Sequence, residues 1–196
     1  LHLSIRRQRQ MCIRDSNKVY LAQFFRVISQ ENSADIYQAA KDSDYYIGAV
    51  HEDEPANGEE LVNILLNKGD RNIGLIGWEQ GDATWLGRWE GYKAGVDKWN
   101  EEHPDDQAKL SEPQYAGTTS EGGSKAAEAL MAADPNLDAL IPAGGGGDPL
   151  QGAIAAVERA GKTADIDVVS TDFLPDLGDR LENGSMAGES GGHFCD

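Results

Sequence analysis

Residues 137–161 read LDALIPAGGGGDPLQGAIAAVERAG, and this stretch decides the fold class. The run at 137–144 is short, apolar and bounded by turn residues, as expected for a buried strand. Asp148 and Pro149 then supply an N-cap residue and a proline at the first helical position, and the helix that they open ends at Gly161. A strand followed at once by a helix is the repeating unit of a parallel sheet.

The same alternation of strand and helix runs through the rest of the chain from residue 17. Strands are predicted at 19–25, 45–50, 72–78, 111–117 and 166–173, the fourth as an edge strand because it contains a proline. Helices are predicted at 58–68, 86–100, 125–133 and 177–181, with a weaker helical stretch at 35–41. The predicted fold class is therefore α/β, with parallel sheets covered by helices on both faces. In such sheets, binding sites lie at the carboxyl ends of the strands.

The composition argues against several classes of function. The 196 residues include 17 Lys and Arg against 34 Asp and Glu, and this net charge of −17 argues against a nucleic-acid-binding surface. No run of 18 apolar residues is present, so no membrane-spanning helix is predicted. Cys12 and Cys195 lie at opposite ends and form neither a disulfide framework nor a zinc cluster. His51, His103 and His193 share no metal-binding spacing, and no nucleotide-binding glycine motif occurs, so we expect no metal and no cofactor.

Residues 1–16, LHLSIRRQRQMCIRDS, differ in charge from the rest of the chain. They contain four Arg and one Asp, whereas the other 180 residues contain 13 basic and 33 acidic groups and carry a net charge of −20. The string RRQRQMCIRDS resembles translated sequencing-adapter read-through, of the kind seen at the ends of metagenomic open reading frames. We interpret residues 1–16 as such an artefact. A natural basic tail is the alternative, which ordinary coding DNA upstream would support.

Four segments of the chain, taken in order, match the pattern of one protein family. The first is IGAVHEDEPANGEELVNILLNKG, with Asp53 and Gly58 at characteristic places. The second is NIGLIG followed by GRWEGYKAGVDKW, with Arg88 and Gly91 in an Arg-x-x-Gly-aromatic helix. The third is the stretch quoted first, and the fourth is IDVVSTDFLPDLGDRLENGSMAGES, with Asp172 as the acid at the end of a strand. In order and spacing these segments resemble the type I periplasmic sugar-binding proteins, the ribose- and galactose-binding family of ABC importers.

The resemblance covers roughly residues 45–190 and implies a particular organisation. Family members have two Rossmann-like parallel-sheet lobes that are joined by a hinge and close on a ligand between them. On that pattern, residues 17–70 are expected to form the C-terminal part of the first lobe and residues 71–185 the second lobe. Residues 186–196 would cross back toward the first lobe. The chain would then be truncated at both ends, without its signal peptide and first strands.

The resemblance also implies a function. The chain would be a solute-binding protein and not an enzyme; it would bind a small sugar or polyol and deliver it to the membrane permease of an ABC importer. A periplasmic or lipid-anchored extracellular location, a monomer and no direct membrane insertion follow from the same resemblance.

Two alternatives stay open. The effector-binding domain of a LacI-like transcription regulator has the same fold and would carry a helix-turn-helix segment upstream. A more remote alternative comes from GESGG at 188–192, which satisfies the G-x-S-x-G pattern and would make Ser190 the nucleophile of a serine hydrolase. A nucleophile elbow should be followed by a helix, and none is predicted there.

Sugar chemistry nominates residues near the carboxyl ends of the predicted strands. Aromatic rings cover the apolar face of a sugar, and charged groups make the strongest hydrogen bonds to its hydroxyls. Asp172 ends a predicted strand and either accepts from two hydroxyls or caps a turn. Trp78 and Trp85 flank the loop after the strand at 72–78, and each either stacks on a pyranose or packs in the core or at its rim.

The resemblance nominates five further ligand-binding residues. Arg26 stands where the family's first lobe often has an Arg, and Arg88 either binds ligand or braces its helix. Gly146 and Gly147 stand where related proteins usually have an Asn-Asp pair, so backbone N–H groups there would contact an anionic or hydroxyl-rich group. His193 stands where family members with a Gly-Gly-His segment direct a histidine toward the ligand; a hinge histidine is the alternative.

Overall fold

The chain forms two compact units, and the division between them falls between Glu52 and Asp53. The computed structural model describes residues 17–24, 30–143, 148–171 and 177–190. The sequence predicts the division later, at residue 70. The helix at Glu54–Lys68 packs against the helix at Ala83–Glu102, so it belongs to the second unit and the predicted boundary differs from the observed one. Amphipathic periodicity identifies a helix but carries no information about which sheet it covers.

Unit 1 contains two parallel strands with a helix between them in the chain. Strand β1 (Leu21–Phe24) pairs with β2 (Tyr46–Val50), and α1 (Gln30–Lys41) connects them. Ala40 is buried at the end of the helix, with Tyr37 and other apolar side chains packed against it.

Unit 2 contains a six-stranded parallel sheet and five described helices. Its strands are β3 (Asn72–Gly77), β4 (Lys109–Leu110), β5 (Gln114–Tyr115), β6 (Ala139–Pro142), β7 (Asp167–Thr171) and β8 (Gly188–Ser190). Its helices are α2 (Glu54–Lys68), α3 (Ala83–Glu102), α4 (Ser120–Ala133), α5 (Asp148–Arg159) and α6 (Leu177–Glu182). The strand order is β4-β3-β6-β7-β8, and β5 also pairs with β3. The expected parallel α/β architecture is confirmed.

Side chains of this sheet alternate between two faces, and each face has its own core. Ile73 and Leu75 of β3 lie with the apolar side chains of α2 and α3. Ile76 of β3 and Leu140 of β6 lie on the other face, with those of α4 and α5. Because both faces are covered, the strands are apolar along most of their length, which explains why they read as continuous hydrophobic runs in the sequence.

Three helices of unit 2 begin earlier than their apolar periodicity indicates. Asp53, Asp82 and Thr119 are the N-cap residues of α2, α3 and α4. Each side-chain oxygen accepts from the backbone N–H three residues on, at 3.1, 3.0 and 3.1 Å respectively. These bonds satisfy N–H groups that the first helical turn leaves free. The cap therefore decides where each of these helices begins.

The sequence predicts one continuous edge strand at 111–117, and this prediction is wrong because the structure has two short strands in this region. Two short strands, β4 and β5, line the edge of β3 on either side of Pro113. Between them, the hydroxyl of Ser111 accepts from the backbone N–H of Leu75 at 2.9 Å, where a strand would offer a carbonyl. Proline lacks the N–H that a ladder requires, which is why the edge is interrupted here.

The last described strand extends the sheet of unit 2. The sequence predicts that residues 186–196 cross back toward the first lobe, but β8 pairs in parallel with β7. Residues 191–196 lie outside the described residues. Residues 188–190 of the predicted crossing segment thus form the last strand in the described order of this sheet.

Two close helix crossings support the sheet, one on each face. A Cβ atom added at Gly91 of α3 would lie 2.0 Å from the carbonyl oxygen of Pro55 in α2. One added at Gly152 of α5 would lie 1.8 Å from the carbonyl oxygen of Ser120 in α4. At these two positions the helix backbones touch, so a side chain cannot be accommodated without separating the helices.

Candidate functional site

The strands of unit 2 are parallel, so their carboxyl ends lie at one edge of the sheet. We call this edge, formed by the ends of β3, β6, β7 and β8 and the residues after them, the carboxyl edge. The opposite edge, at the amino ends of the same strands, is the amino edge. The alternation of strand and helix therefore brings Trp78, Ala143, Thr171 and Ser190 to the same end of the sheet.

Arg88 is buried under the carboxyl edge and makes two strong contacts. Its side chain is 3 % exposed, and its Nε donates to Oε2 of Glu54 at 2.6 Å, so the two residues form a buried ion pair. Its Nη1 donates to Oγ1 of Thr171 at 2.5 Å. Glu54 is in the first turn of α2, and Thr171 is the last residue of β7. Arg88 therefore connects α2, α3 and β7.

A second polar contact lies beside this ion pair. Thr171 pairs with Ser190 across β7 and β8, and the hydroxyl of Ser190 donates to Oδ1 of Asn57 at 3.2 Å. Asn57 lies on α2, one turn after Glu54. The ion pair and these hydroxyl and amide groups form one cluster of five residues, which we call the edge cluster: Glu54, Asn57, Arg88, Thr171 and Ser190.

The geometry of Ser190 bears on the hydrolase alternative. Ser190 lies in β8, paired with Thr171, and its described hydrogen bond goes to an amide oxygen. A serine nucleophile needs a basic nitrogen within hydrogen-bonding reach. This arrangement gives no support to catalysis by Ser190.

Of the two roles predicted for Trp85, stacking on a sugar or packing in the core, the structure shows packing. It is 1 % exposed, in the first turn of α3, and its ring lies 6.2 Å from Trp89, 5.9 Å from Tyr92 and 6.5 Å from Tyr115 between centroids. Its indole Nε1 has no hydrogen-bond partner among the described residues. A ring enclosed in this way offers no face on which a sugar could stack.

Trp78 differs from Trp85 in exposure. It follows β3 directly, is half-buried, and packs against the core shared by α2 and α3. Its backbone carbonyl accepts from the N–H of Gly117 at 2.9 Å, which fixes the position of the residue. Of the two predicted tryptophans, Trp78 is the one that keeps exposed surface at the carboxyl edge.

Five predicted ligand residues lie outside the described part of the chain. They are Arg26, Gly146, Gly147, Asp172 and His193. Their roles stay predictions.

Sequence reasoning missed three members of the edge cluster: Glu54, Asn57 and Thr171. Glu54 stands 34 positions from Arg88 and Thr171 stands 83 positions from it, and no local pattern links residues so far apart. The available signal was weak: an acidic residue directly after the N-cap Asp53, and a hydroxyl residue directly before Asp172.

The amino edge contains a second group of charged residues. Burial, and then the charges of Asp167 and Asp138, raise the pKa of the Asp70 carboxyl to about 7. Lys68 forms an ion pair with Asp167 at 2.9 Å. Asp138 accepts from the backbone N–H groups of Arg71 and Asn72 at 2.9 and 2.7 Å. These carboxylates hold the amino ends of β3, β6 and β7 together.

Neither a metal site nor a membrane span is found in the described residues. No group of three or more His, Cys, Asp or Glu side chains among them could hold a metal ion. No helix within the described ranges is long and apolar enough to cross a membrane. A cavity of about 200 Å³ lies near the amino edge, between β3, β4 and the end of α4, away from the edge cluster.

Comparison with known proteins agrees with this architecture. A family model described as "Periplasmic binding protein domain" matches residues 23–191. No curated protein sequence matches the chain.

Solved structures give a closer view of the fold. An ABC transporter solute-binding protein from Agrobacterium vitis with bound D-fucose has a TM-score of 0.70 at 16 % identity; the match covers 91 % of this chain and 56 % of that one. A periplasmic solute-binding protein from Actinobacillus succinogenes with bound D-allose has a TM-score of 0.71 at 17 % identity, covering 90 % and 66 %. A Mycobacterium smegmatis protein in complex with β-D-fucofuranose has a TM-score of 0.70 at 21 % identity, covering 90 % and 54 %. The chain thus spans between about half and two thirds of the length of these proteins.

Proposed function

The chain belongs to the periplasmic binding protein domain family, and on that premise we propose that it binds a small, uncharged sugar or polyol at the carboxyl edge of unit 2. The whole protein would deliver this solute to the membrane permease of an ABC importer. It would work outside the cytoplasmic membrane, in the periplasm or anchored to the cell surface, as a monomer and without catalysing a reaction.

The observation that carries this proposal is the charge balance at the carboxyl edge. The guanidinium of Arg88 is paired with Glu54 at 2.6 Å, so its charge is compensated within the protein. In the sequence, the residues that follow the strands, at 78–82, 144–147, 172–176 and 191–196, include no Lys or Arg, and three of these four stretches contain acidic residues. Within the described residues of unit 2, an anionic ligand would therefore meet at this edge a guanidinium that Glu54 already compensates. Hydroxyl groups, by contrast, can donate to carboxylates and accept from backbone N–H groups.

The similar solved structures support the same ligand class. The proteins from Agrobacterium vitis and Actinobacillus succinogenes hold D-fucose and D-allose, and the Mycobacterium smegmatis protein holds β-D-fucofuranose. All three ligands are neutral and rich in hydroxyls. The family and these ligands favour import over the transcription-regulator alternative.

Within this proposal the ligand contacts have distinct roles. Asp172, which follows β7, would accept from two hydroxyls, and Trp78 would cover the apolar face of the ring. The backbone N–H groups of Gly146 and Gly147 would donate to ring or hydroxyl oxygens. His193 would add a further hydrogen bond, and the ligand contact of Arg26 stays a separate prediction for unit 1.

Thermal shift measurements with matched ligands test the proposal. D-Fucose, D-allose, D-tagatose and D-galactose are compared with D-galacturonate and glucose 6-phosphate, each in excess. A ligand present at about 100 times its Kd stabilises the folded state by about 2.7 kcal/mol, which for a chain of this size raises Tm by about 5–10 °C. We expect such a rise with at least one neutral sugar and none with the acidic ones.

The controls decide between specific binding and a general effect of polyols. Asp172→Ala should abolish the rise, and Asp105→Ala, at an exposed position on unit 2, should leave it intact. A larger rise with galacturonate than with galactose would contradict the proposed ligand class. No rise with any sugar or polyol would contradict the proposed function.

A further inference from the structure

The dipeptide Asn-Gly occurs twice in the sequence, at 57–58 and at 183–184, in different surroundings. Asn57 and Gly58 lie within α2, where Gly58 is buried. Asn183 and Gly184 are both exposed, in the turn that follows α6 and leads to β8. An asparagine amide can react with the next peptide nitrogen, and glycine leaves that nitrogen accessible because it has no side chain. One chain therefore contains a candidate site of self-modification and its matched control.

The side chain of Asn183 is held close to the backbone that follows it. Its Oδ1 accepts from the backbone N–H of Ser185 at 2.9 Å and from the hydroxyl of Ser185 at 2.7 Å. The first of these bonds closes an Asx turn. The ring of that turn includes the backbone nitrogen of Gly184, so the side-chain carbonyl is folded toward this nitrogen. The N–H of Gly184 has a distant acceptor, the carbonyl of Leu181 at 3.4 Å, and is therefore weakly held.

The two donors of Ser185 also favour the reaction of the amide. When a nitrogen attacks Cγ of Asn183, negative charge develops on Oδ1, and donors that are already aimed at this atom stabilise it. Hydrogen bonds to a charged acceptor are stronger than those to a neutral one, so both contacts strengthen as the charge develops. Ser185 is 8 % exposed, and Met186 after it is buried in the core, so the position of both donors is fixed.

We propose that Asn183 is a site of spontaneous modification, converted to aspartate or isoaspartate by the turn in which it lies. Hydroxide from solvent takes the proton of the Gly184 N–H. The nitrogen then forms a bond to Cγ of Asn183, and the bond from Cγ to the amide nitrogen breaks. The amide nitrogen takes a proton from water and leaves as ammonia. Water hydrolyses the cyclic imide at either carbonyl, which gives aspartate or isoaspartate; water is consumed overall, and nothing is oxidised or reduced.

The modification would act on the strand that follows the turn. Isoaspartate adds a methylene group to the backbone between α6 and β8. Met186 anchors the far side of the turn, since its N–H donates to the carbonyl of Arg180 at 3.2 Å and its side chain is buried. The added group must be absorbed between these anchors, so we expect amide exchange at residues 188–190 to be about tenfold faster in the isoaspartate form. This inference does not depend on the proposed function, because it involves no ligand.

Peptide mapping by mass spectrometry during incubation at pH 8 tests the proposal in the wild-type chain. In urea the two Asn-Gly pairs are both unfolded and should convert at similar rates. In the native chain Asn183 should convert about as fast as in urea. Asn57 should convert about tenfold more slowly than in urea, or slower still, because helical hydrogen bonds hold the backbone around Gly58.

Substitutions at Ser185 test the contribution of its hydroxyl. Ser185→Ala removes one donor to Oδ1 and should slow the conversion of native Asn183 about tenfold. Ser185→Thr keeps the hydroxyl and should stay within about threefold of the wild type. In urea neither substitution should change the rate. The comparison of Asn183 with Asn57 needs no variant, so it decides the proposal even if Ser185→Ala does not fold.

The opposite results are equally clear. If native Asn183 is slowed as strongly as Asn57, the inference is overturned, because the turn then protects the amide. Equal native rates in Ser185→Ala and the wild type would also overturn it, because the hydrogen bonds to Oδ1 would then contribute nothing. Unchanged exchange at residues 188–190 in the purified isoaspartate form would contradict the expected effect on β8.

Discussion

At the scale of single residues, unit 2 separates its charged groups between the two edges of one sheet. The edge cluster contains a compensated cation, Arg88, at the carboxyl edge. The amino edge contains three carboxylates, of which Asp138 is held by backbone N–H groups and Asp167 by Lys68. The third, Asp70, is half-buried, and one of its oxygens has no hydrogen-bond partner among the described residues. Because these environments differ, we expect the charged groups at the two edges to respond differently to pH.

The first prediction concerns Asp70. Its pKa is raised from 3.8 to about 7 by burial and by the charges of Asp167 and Asp138, with an opposing effect of Lys68. Between these values the native state keeps a proton that the unfolded chain has released. The native state therefore binds more protons, and the free energy of unfolding falls as pH rises through this window. Urea unfolding at several pH values between 4 and 8 measures the slope.

The matched variants isolate the carboxyl group responsible. Asp70→Asn should flatten this slope and raise Tm at pH 8, because an amide is neutral at every pH. Asp105→Asn, at an exposed position, should leave the slope unchanged. A wild-type stability that rises between pH 4 and 7, with no difference in Asp70→Asn, would be inconsistent with a raised pKa of Asp70.

Single residues also mark the limit of prediction from this sequence. The Arg-x-x-Gly-aromatic pattern nominated Arg88, and both of its alternatives, ligand contact and brace, were compatible with the pattern. What the pattern could not provide was the identity of Glu54 and Thr171 as its partners, because only the folded sheet brings these residues together. Trp85 illustrates the same limit, since burial at 1 % depends on Trp89, Tyr92 and Tyr115 around it.

At the scale of elements, the close crossing of α2 and α3 fixes the edge cluster. Glu54 and Arg88 lie on these two helices, and the helices touch through the backbone near Gly91. An added methyl group there would meet the carbonyl of Pro55 at 2.0 Å, too close for any rotamer change to relieve. The crossing is thus a requirement of the ion pair and not only of the core.

The second prediction tests this crossing. Gly91→Ala should destabilise the folded state by about 1–3 kcal/mol or more, because it forces the helices apart. Gly178→Ala is the matched control: Gly178 lies in α6 with no atom near the added methyl, and alanine favours helix, so it should be neutral or stabilising by up to about 1 kcal/mol. Urea unfolding of the two variants measures the difference. Equal stability of the two would contradict a backbone contact between α2 and α3.

The third prediction concerns the interrupted edge strand. Ser111→Ala should destabilise by about 1–3 kcal/mol, because the N–H of Leu75, on a fully buried residue, would lose its acceptor. Ser111→Thr keeps a hydroxyl and should cost less. The same unfolding experiment applies, and an alanine variant as stable as the wild type would mean that the hydroxyl does not replace the missing strand bond.

Most elements of unit 2 could be predicted, and the errors have physical causes. Apolar runs and helical periodicity located β3, β6 and β7 and the helices beside them to within a few residues. The early starts of α2, α3 and α4 were missed because they depend on N-cap residues, which apolar periodicity does not register. The boundary at residue 70 differed from the observed division because the pattern of α2 is the same whichever sheet it covers.

At the scale of the whole molecule, charge and topology agree with a receptor for a neutral solute. The chain carries a net charge of −17, the stretches of sequence that follow β3, β6, β7 and β8 include no Lys or Arg, and Arg88 is paired with Glu54. The family match over residues 23–191 and the parallel sheet with helices on both faces give the architecture. The central claim is that a neutral sugar binds at the carboxyl edge.

An NMR titration tests that claim most directly. Amide resonances of the ¹⁵N-labelled chain are followed while the neutral sugar with the largest thermal shift is added. The account predicts saturable shifts for Trp78, Thr171 and Ser190 at the carboxyl edge, with Asn72 and Asp138 at the amino edge unchanged. Shifts concentrated at the amino edge, or no saturable shift with any neutral sugar, would contradict it.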